Sequence, residues 1–422
     1  MHRRSVRTAV VGLAAVAALT LAACGSKSAE TTTTSAAATG SAAASGSASA
    51  GGAGGALAIV PVEQIDKSGK KVEVAAGGTP ASPAGDGTAT CSGVNLAMAG
   101  SLTGPNSPAL GQNILKGAQL AIKEHNDANA NCQVELKPFD TEGDPQKATG
   151  VAPNIVSDAS VIGLLGPAFS GETQATGDIF FQAGLLSVTA SATAVNLTEN
   201  GWTNFFRGLG NDGLQGPSVG NYMVSEGYSH ICIVNDEQAY SVGLAQEIRG
   251  ALGTNEDASC ATEVKSAGSD YSSVVTAVKG ASDADAIFYA GYYPEAAKIV
   301  KQLRDGGVTL PFISADGTND PQFVAQAGES SKGAILSCPC GPAPAQFAAD
   351  YQALNNVAPG VYSVEAYDLT TIMLKGIDSG ITDRAGMINY VKNYKGDGLA
   401  RAYQWNDKGE LASALIWIYK VQ

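Results

Sequence analysis

A chain of 422 residues is long enough for two domains with sizeable cores, and its formal charge of −13, from 39 Asp and Glu against 26 Lys and Arg, argues against nucleic acid as a partner. Only 15% of the residues are charged and 51 are glycine, but much of that skew falls in one low-complexity segment near the start, so the remainder reads as globular. Beyond Arg3, Arg4 and Arg7 no basic cluster stands out.

The chain opens with a basic stretch, an apolar run over 9–23 and a cysteine behind small residues, which is the pattern of an export signal. The run is shorter than the roughly 20 residues of a bilayer-spanning helix. Leu21-Ala22-Ala23-Cys24 resembles the bacterial lipobox and makes Cys24 a lipidation candidate; the alternative is an ordinary signal that leaves Cys24 as a free thiol. Acyl chains there would hold the exported protein at the outer face of the bacterial cytoplasmic membrane. Residues 25–55 are Ser, Ala, Thr and Gly, a disordered tether with a reach of roughly 30 Å. The expected organisation therefore begins with a lipoprotein signal peptide over 1–23 and a tether or linker over 24–90. Within that linker, residues 59–74 fit either a small hairpin about Asp66-Lys67-Ser68-Gly69-Lys70 or a Pro-interrupted connection.

From Cys91 onward strand and helix patterns alternate. A strand over 94–98 precedes a helix over 114–126 with Ile114, Ala118, Ala121 and Ile122 on one face, then a strand over 133–139 and a helix opened by Asp144 and Pro145. Apolar runs at 161–165 and 185–189 read as buried strands that stop at hydroxyl clusters, 170–173 and 191–193, with a helix over 173–183 between them. Such a crossover places Ser170 and Thr193 at the carboxyl ends of neighbouring parallel strands, where open sheets hold ligands. After Phe205-Phe206-Arg207 the alternation resumes, with helices over 215–225, 242–252, 271–281, 295–304 and 321–327 and strands over 230–234, 261–264, 286–290 and 311–314. Helices over 345–355, 363–375 and 384–393 follow, and a hairpin turning on Asn406-Asp407-Lys408-Gly409 closes the chain.

Six cysteines follow Cys24, and an even number in an exported chain suggests disulfides. Fifteen pairings exist. Cys91 with Cys132 and Cys232 with Cys260 are favoured because each pair flanks neighbouring strands, which leaves Cys338 with Cys340. Cys338-Pro339-Cys340 has no second matching pair or nearby His, so no metal site is expected.

Gly208-Leu209-Gly210-Asn211-Asp212-Gly213 matches a dinucleotide fingerprint, with Asp236 as ribose partner; the preferred reading is a glycine-rich turn between lobes, and no cofactor is expected. Ser170 lacks the first glycine of a nucleophile elbow, and of three histidines His2 belongs to the signal, His125 to a surface-like helix and His230 to a strand start, so no enzyme is expected. Ser170 and Thr193 suit a ligand carboxylate, or merely cap helices. Asp316 suits an ammonium, or merely forms an Asp-Gly turn. Tyr292 and Tyr293 sit at another strand end, lining a cleft or packing.

Gly-Ser-Leu-Thr-Gly-Pro at 100–105, Asp-Thr-Glu-Gly-Asp-Pro at 140–145, Gln-Gly-Pro at 215–217, Ala-Tyr-Ser-Val-Gly-Leu-Ala at 239–245, Tyr-Ala-Gly-Tyr-Tyr-Pro-Glu-Ala at 289–296, Ala-Tyr-Asp at 366–368 and Trp-Asn-Asp-Lys-Gly-Glu-Leu at 405–411 occur in this order. Together they resemble the leucine/isoleucine/valine-binding proteins, the extracytoplasmic receptors of ABC importers. The resemblance implies an α/β, two-lobed type I periplasmic-binding-protein fold, each lobe a mostly parallel sheet flanked by helices, joined by three hinge crossovers. Lobe one would comprise 91–211 and 339–398, lobe two 212–338 and 399–422. It also implies a monomer that captures a small amino acid, branched-chain or aliphatic, and delivers it to permease subunits; a same-fold receptor for another small metabolite, or a sensor, is the alternative.

In the same terms the ligand carboxylate goes to Ser170, Ser191, Ala192 and Thr193, and the ammonium to Asp316 with Asp212 nearby. Tyr240, Tyr292 and Tyr367 line the cleft. The chain departs from the pattern at Leu110, where an aromatic is usual, at Asp316, where a longer Glu is usual, and at Gly143 and Phe169, which replace a first-lobe disulfide. Phe169 beside Ser170 is expected to reshape the pocket.

Overall fold

The computed structural model describes residues 57–74 and 78–422. The export signal, Cys24 and the tether over 25–55 lie outside the described residues.

The elements in chain order are β1 (Ile59–Ile65), β2 (Lys71–Val72), β3 (Asn95–Gly100), α1 (Pro108–Ala128), β4 (Leu136–Asp140), α2 (Pro145–Ser157), β5 (Val161–Leu165), α3 (Ser170–Gln182), β6 (Leu186–Thr189) and β7 (Phe205–Arg207). Then come α4 (Asp212–Ser225), β8 (Ile231–Asp236), α5 (Ala239–Leu252), β9 (Thr262–Val264), α6 (Ser272–Gly280), β10 (Ala286–Ala290), α7 (Tyr293–Asp305), β11 (Phe312–Ser314), α8 (Pro321–Ala327) and β12 (Ile335–Cys338). The last are α9 (Ala345–Asn355), α10 (Ser363–Asp378), α11 (Arg384–Lys392), β13 (Lys395–Asp397), β14 (Ala402–Gln404) and β15 (Ile416–Val421).

Local chemistry explains the main boundaries. The Asp144 carboxylate accepts the N–H groups of Gln146 and Lys147, with Pro145 in the first turn of α2; Asn211 caps α4, Asp320 caps α8 and Asp383 caps α11 in the same manner. The uninterrupted apolar runs β5 and β10 are buried throughout, as strands covered on both faces must be.

Strands β4-β3-β5-β6-β7, in that order, form a five-stranded sheet that is parallel throughout. Helices α1 and α10 pack on one another, and Met373 of α10 lies against Gly163 of β5, so the three late helices return to this first lobe. An eight-stranded sheet, β2-β1-β15-β12-β11-β10-β8-β9, forms the second lobe. Its β9-β8-β10-β11-β12 portion is parallel, and β15, β1 and β2 add antiparallel strands at one edge. Residues 208–211, 339–344 and 412–415 cross between the lobes, where a Cβ on Gly210 would meet Pro339 and Ala414. Cys91 pairs with Cys132, Cys232 with Cys260, and Cys338 with Cys340.

Four expectations need correction. The linker assigned to 24–90 contains ordered structure: of the two readings of 59–74 the hairpin forms, turned by the Asp66 carboxylate accepting N–H from Ser68 and Lys70. Its first strand pairs with β15, and the register shifts between Pro61 and Glu63, a bulge of the kind that accommodates a proline without an N–H to donate. From Gly78 onward the chain lies with the first lobe. There Ala81 N–H donates to the Asp397 carbonyl at 2.9 Å, Asn129 holds the backbone of Ala84 and Ala89, and Cys91 is bonded to Cys132. Residues 59–72 thus belong with the second lobe and 78–91 with the first.

The closing hairpin is the second correction. Its turn forms, with Asn406 N–H donating to the Glu410 carbonyl at 2.8 Å and Trp405 bridging Leu411, but its arms diverge. Strand β14 pairs with β13 and Tyr403 bonds Asp368 of α10, so 402–404 belong with the first lobe, while β15 enters the second sheet between β1 and β12. The third is β12 itself, absent from the sequence reading because Ile335–Cys338 is short and mixes a serine into its apolar run. The fourth is His125, which is fully buried on α1 and bonded through Nε2 to Asp378 at 2.9 Å.

Candidate functional site

The carboxyl ends of the two sheets face each other. From the first lobe, the turn after β5 delivers Phe169 and Ser170 at the start of α3, and the turn after β6 delivers residues 191–193. From the second, Tyr240 opens α5 after β8, Tyr292 precedes α7 after β10, and Asp316 follows β11. The Phe169 ring lies 5.1 Å from that of Tyr292, which lies 5.1 Å from that of Tyr240, giving a continuous aromatic row that crosses from one lobe to the other.

The hydroxyl side is tightly organised. Ser170 Oγ accepts the Ala194 N–H at 3.2 Å, and Ser191 Oγ donates to the Ala168 carbonyl at 2.6 Å. Thr189 Oγ1 accepts from the N–H groups of Ser191 and Ala192. Buried Arg207 fixes this loop from behind, its Nη1 donating to the Ala192 carbonyl at 2.5 Å and its Nη2 to that of Ala194 at 3.0 Å. The Thr193 hydroxyl is buried with no hydrogen-bond partner among the described residues, and the first turn of α3 points its N–H groups outward, as a helix start must.

The acidic side holds two carboxylates. Asp212 begins α4, its N–H donating to the Thr193 carbonyl at 2.9 Å, and both of its carboxylate oxygens are buried without partners among the described residues. Burial, then the neighbouring charge of Asp316, pushes the Asp212 carboxyl well above its ordinary range. Asp316 is also raised by burial, although Tyr362 and Tyr240 donate to it and act in the opposite direction. Two buried acids this close resist ionising together and favour a cation between them.

The structure thus brings together Phe169, Ser170, Ser191, Ala192, Thr193, Asp212, Tyr240, Tyr292 and Asp316. Leu110 is buried in the first turn of α1, within the same apolar cluster as Phe169, Tyr240 and Tyr292. Tyr367 is placed differently. Its hydroxyl donates to Glu124 of α1 at 2.6 Å and its ring meets that of Phe347 edge-on, so it joins helix packing in the first lobe. Tyr362, immediately ahead of α10, is the residue that reaches the acids, its hydroxyl 2.7 Å from Asp316 Oδ2. Its left-handed backbone lies outside the helix, so its side chain leaves in a direction that the helical phase of Tyr367 does not set. Tyr362 stands just ahead of a helix start, as Tyr292 does, and that shared position was the available signal. Asn113 and Asp320, bonded across the lobes at 2.8 Å, had none.

Residues 93–422 match the protein family described as periplasmic binding protein. The leucine-, isoleucine-, valine-, threonine- and alanine-binding protein of Pseudomonas aeruginosa is 30% identical over 297 residues, covering 68% of this chain and 78% of that protein. The Leu/Ile/Val-binding protein of Escherichia coli strain K12 is 27% identical over 326 residues, covering 75% and 88%. Among solved structures, the branched-chain amino acid transporter substrate-binding protein LivJ of Streptococcus pneumoniae, in complex with isoleucine, superposes with a TM-score of 0.71 at 27% identity, covering 78% of this chain and 99% of that one. Two α/β lobes whose strand ends converge on one cleft define a substrate-binding protein of type I architecture. The chain belongs to the periplasmic binding protein family.

Proposed function

We propose that this protein captures a small amino acid, aliphatic or branched-chain, between its lobes and hands it to the permease of an ABC importer. The observation that carries this reading is the polarity of the cleft. One end offers hydroxyls and helix-start N–H groups at Ser170 and Thr193; the other offers the buried carboxylate of Asp316, with that of Asp212 beside Thr193 between them, and no basic side chain among the described residues is bonded to either acid. A zwitterion satisfies both ends at once and would favour the closed arrangement by contacting both lobes. Names of relatives that bind leucine, isoleucine and valine support the same ligand class.

The protein acts in this reading as a monomeric receptor without catalysis. Ser170 Oγ is engaged by the Ala194 N–H, His125 is bonded to Asp378, and His230 is exposed at the start of β8 on the far side of its strand from the cleft. Acylation of Cys24 would hold it at the membrane.

Calorimetry with L-leucine, its amide and its des-amino acid tests the polarity directly. Binding should require both charged ends. Equal affinity for the des-amino acid would remove the acidic side from ligand recognition. A second reading, a different small metabolite, is favoured by one feature: the Phe169 ring against Tyr292 takes up room beside Ser170. Mass spectrometry of ligand released from the purified protein separates the two.

A further inference from the structure

Both oxygens of Asp316 are engaged by phenols, and the phenols come from opposite lobes. Tyr240 of the second lobe donates to Oδ1 at 2.8 Å, and Tyr362, ahead of α10 in the first lobe, donates to Oδ2 at 2.7 Å. Tyr240 is itself steadied by the Gly317 N–H at 3.3 Å. The Tyr362 backbone has φ of 65°, a left-handed conformation that a bulky residue adopts only when its surroundings hold it there. Here the Gly360–Ser363 turn holds it, with Ser363 N–H donating to the Gly360 carbonyl. A second bridge lies beside the first. Asn113 of α1 donates to Asp320 Oδ2 at 2.8 Å, and a Cβ on Gly360 would overlap the Asn113 side chain, so the turn that aims Tyr362 also abuts the second bridge.

We infer that Tyr362 is a positioning residue that clasps the two lobes through Asp316, so that this acid serves closure by accepting a phenolic hydroxyl from each lobe as well as by facing the ligand. The inference rests on the binding reading above and deepens it. Asp212, which meets no phenol or basic side chain among the described residues and has only the Thr193 hydroxyl close by, is the acid more open to a ligand ammonium. The clasp consists of protein groups alone and therefore contributes to closure before any ligand is counted; its rupture should appear first in the rate of opening.

The roles of charge and of hydrogen bonding at Asp316 can be separated by substitution in the full chain. Asp316→Asn keeps a carbonyl for one phenol and an amide that donates to the other, whose hydroxyl rotates to accept. Asp316→Ala removes the clasp. Tyr362→Phe removes one bond at nearly constant shape. Lobe separation without ligand would be followed by small-angle X-ray scattering, L-leucine binding by calorimetry and stopped flow, and folding by near-ultraviolet circular dichroism.

Tyr362→Phe should widen the lobe separation and weaken leucine binding about tenfold, mainly through faster release, as expected for a lost bond to a charged group. Asp316→Asn should retain at least about tenfold more affinity than Asp316→Ala, which falls about a hundredfold. Unchanged lobe separation in Tyr362→Phe overturns the clasp, and so does an Asp316→Asn variant as impaired as Asp316→Ala. Should the parent chain not bind leucine, the ligand assignment fails, and the scattering of Tyr362→Phe still decides the clasp.

Discussion

Arg207 and Glu410 form a forked ion pair that joins the loop of the hydroxyl side to the tight turn near the end of the chain. The guanidinium Nε lies 3.2 and 3.1 Å from the two Glu410 oxygens and Nη2 lies 3.0 Å from Oε1, while the remaining donors hold the carbonyls of Ala192 and Ala194. Glu410→Ala would leave a buried guanidinium half satisfied and should lower stability by about 3 kcal/mol, the low end for a broken buried pair because Glu410 is partly exposed. Arg207→Lys, which cannot reproduce the fork, should loosen the 191–194 loop and weaken ligand binding more than it lowers the melting temperature. Urea denaturation and calorimetry on both variants check this.

Glu172 faces the interior at the start of α3, accepting from the Thr141 hydroxyl and from the Phe169 N–H at 3.2 Å. Burial pushes its carboxyl up to about 8, far above an ordinary glutamate. The folded chain therefore retains a proton that the unfolded chain releases above about pH 4.3. Stability should fall as pH rises through that window, by about 1.4 kcal/mol per pH unit at the steepest. Glu172→Gln, which keeps an acceptor and adds a donor to Thr141, should flatten the profile between pH 5 and 8 in denaturation experiments.

His125 adds a slope of the same sign. Burial alone would depress its pKa, but the hydrogen bonds with Asp378 and Asn126 outweigh that and leave it raised. A raised histidine contributes stability that is complete below the unfolded value near 6.5 and is lost as pH climbs through the folded value. Asp378→Asn should move the His125 titration, followed by nuclear magnetic resonance, to lower pH. No movement would show that the bond is not the cause.

Helices α1 and α10 approach closely at Gly117, where a Cβ would lie 2.1 Å from the Ser363 carbonyl oxygen. Gly117→Ala must therefore push the helices apart, at a cost of about 1–3 kcal/mol, despite the better intrinsic helix propensity of alanine. Ser363 adjoins Tyr362, so this variant should also raise the leucine off-rate.

Ile65 is 1% exposed at the end of β1, whereas Val62 in the same strand is 50% exposed. Ile65→Ala should destabilise by about 2–4 kcal/mol. Val62→Lys should be nearly neutral, and a comparable loss there would contradict the pairing of β1 with the second sheet.

Alternation of strand and helix, with caps such as Asp144 and apolar runs such as 161–165, made the architecture legible because each signal is local. The site was legible where it follows strand ends: Ser170, Thr193, Tyr292 and Asp316 all sit in turns after apolar runs. What escaped was set by distance. Strand β1 forms because β15, more than 350 residues later, offers it an edge, and nothing within 59–74 records that. Tyr367 and Tyr362 differ in fate because Tyr367 lies inside α10 and Tyr362 in the left-handed turn ahead of it, which a motif centred on Ala366-Tyr367-Asp368 does not encode. His125 looked exposed because its neighbours Glu124 and Asn126 are polar; its burial depends on Asp378 in another helix.

The described residues begin at Leu57, just ahead of β1. That strand runs antiparallel to β15 from Ile59 opposite Val421 to Ile65 opposite Ile416, and the ladder is extended by the paired Ala58 and Gln422. Tension applied ahead of Leu57 would draw β1 lengthwise against its neighbour, loading the rungs together instead of peeling them one at a time, because antiparallel rungs lie across the strand axis. Under such tension the eight-stranded lobe would take the load, and the five-stranded lobe would be free of it.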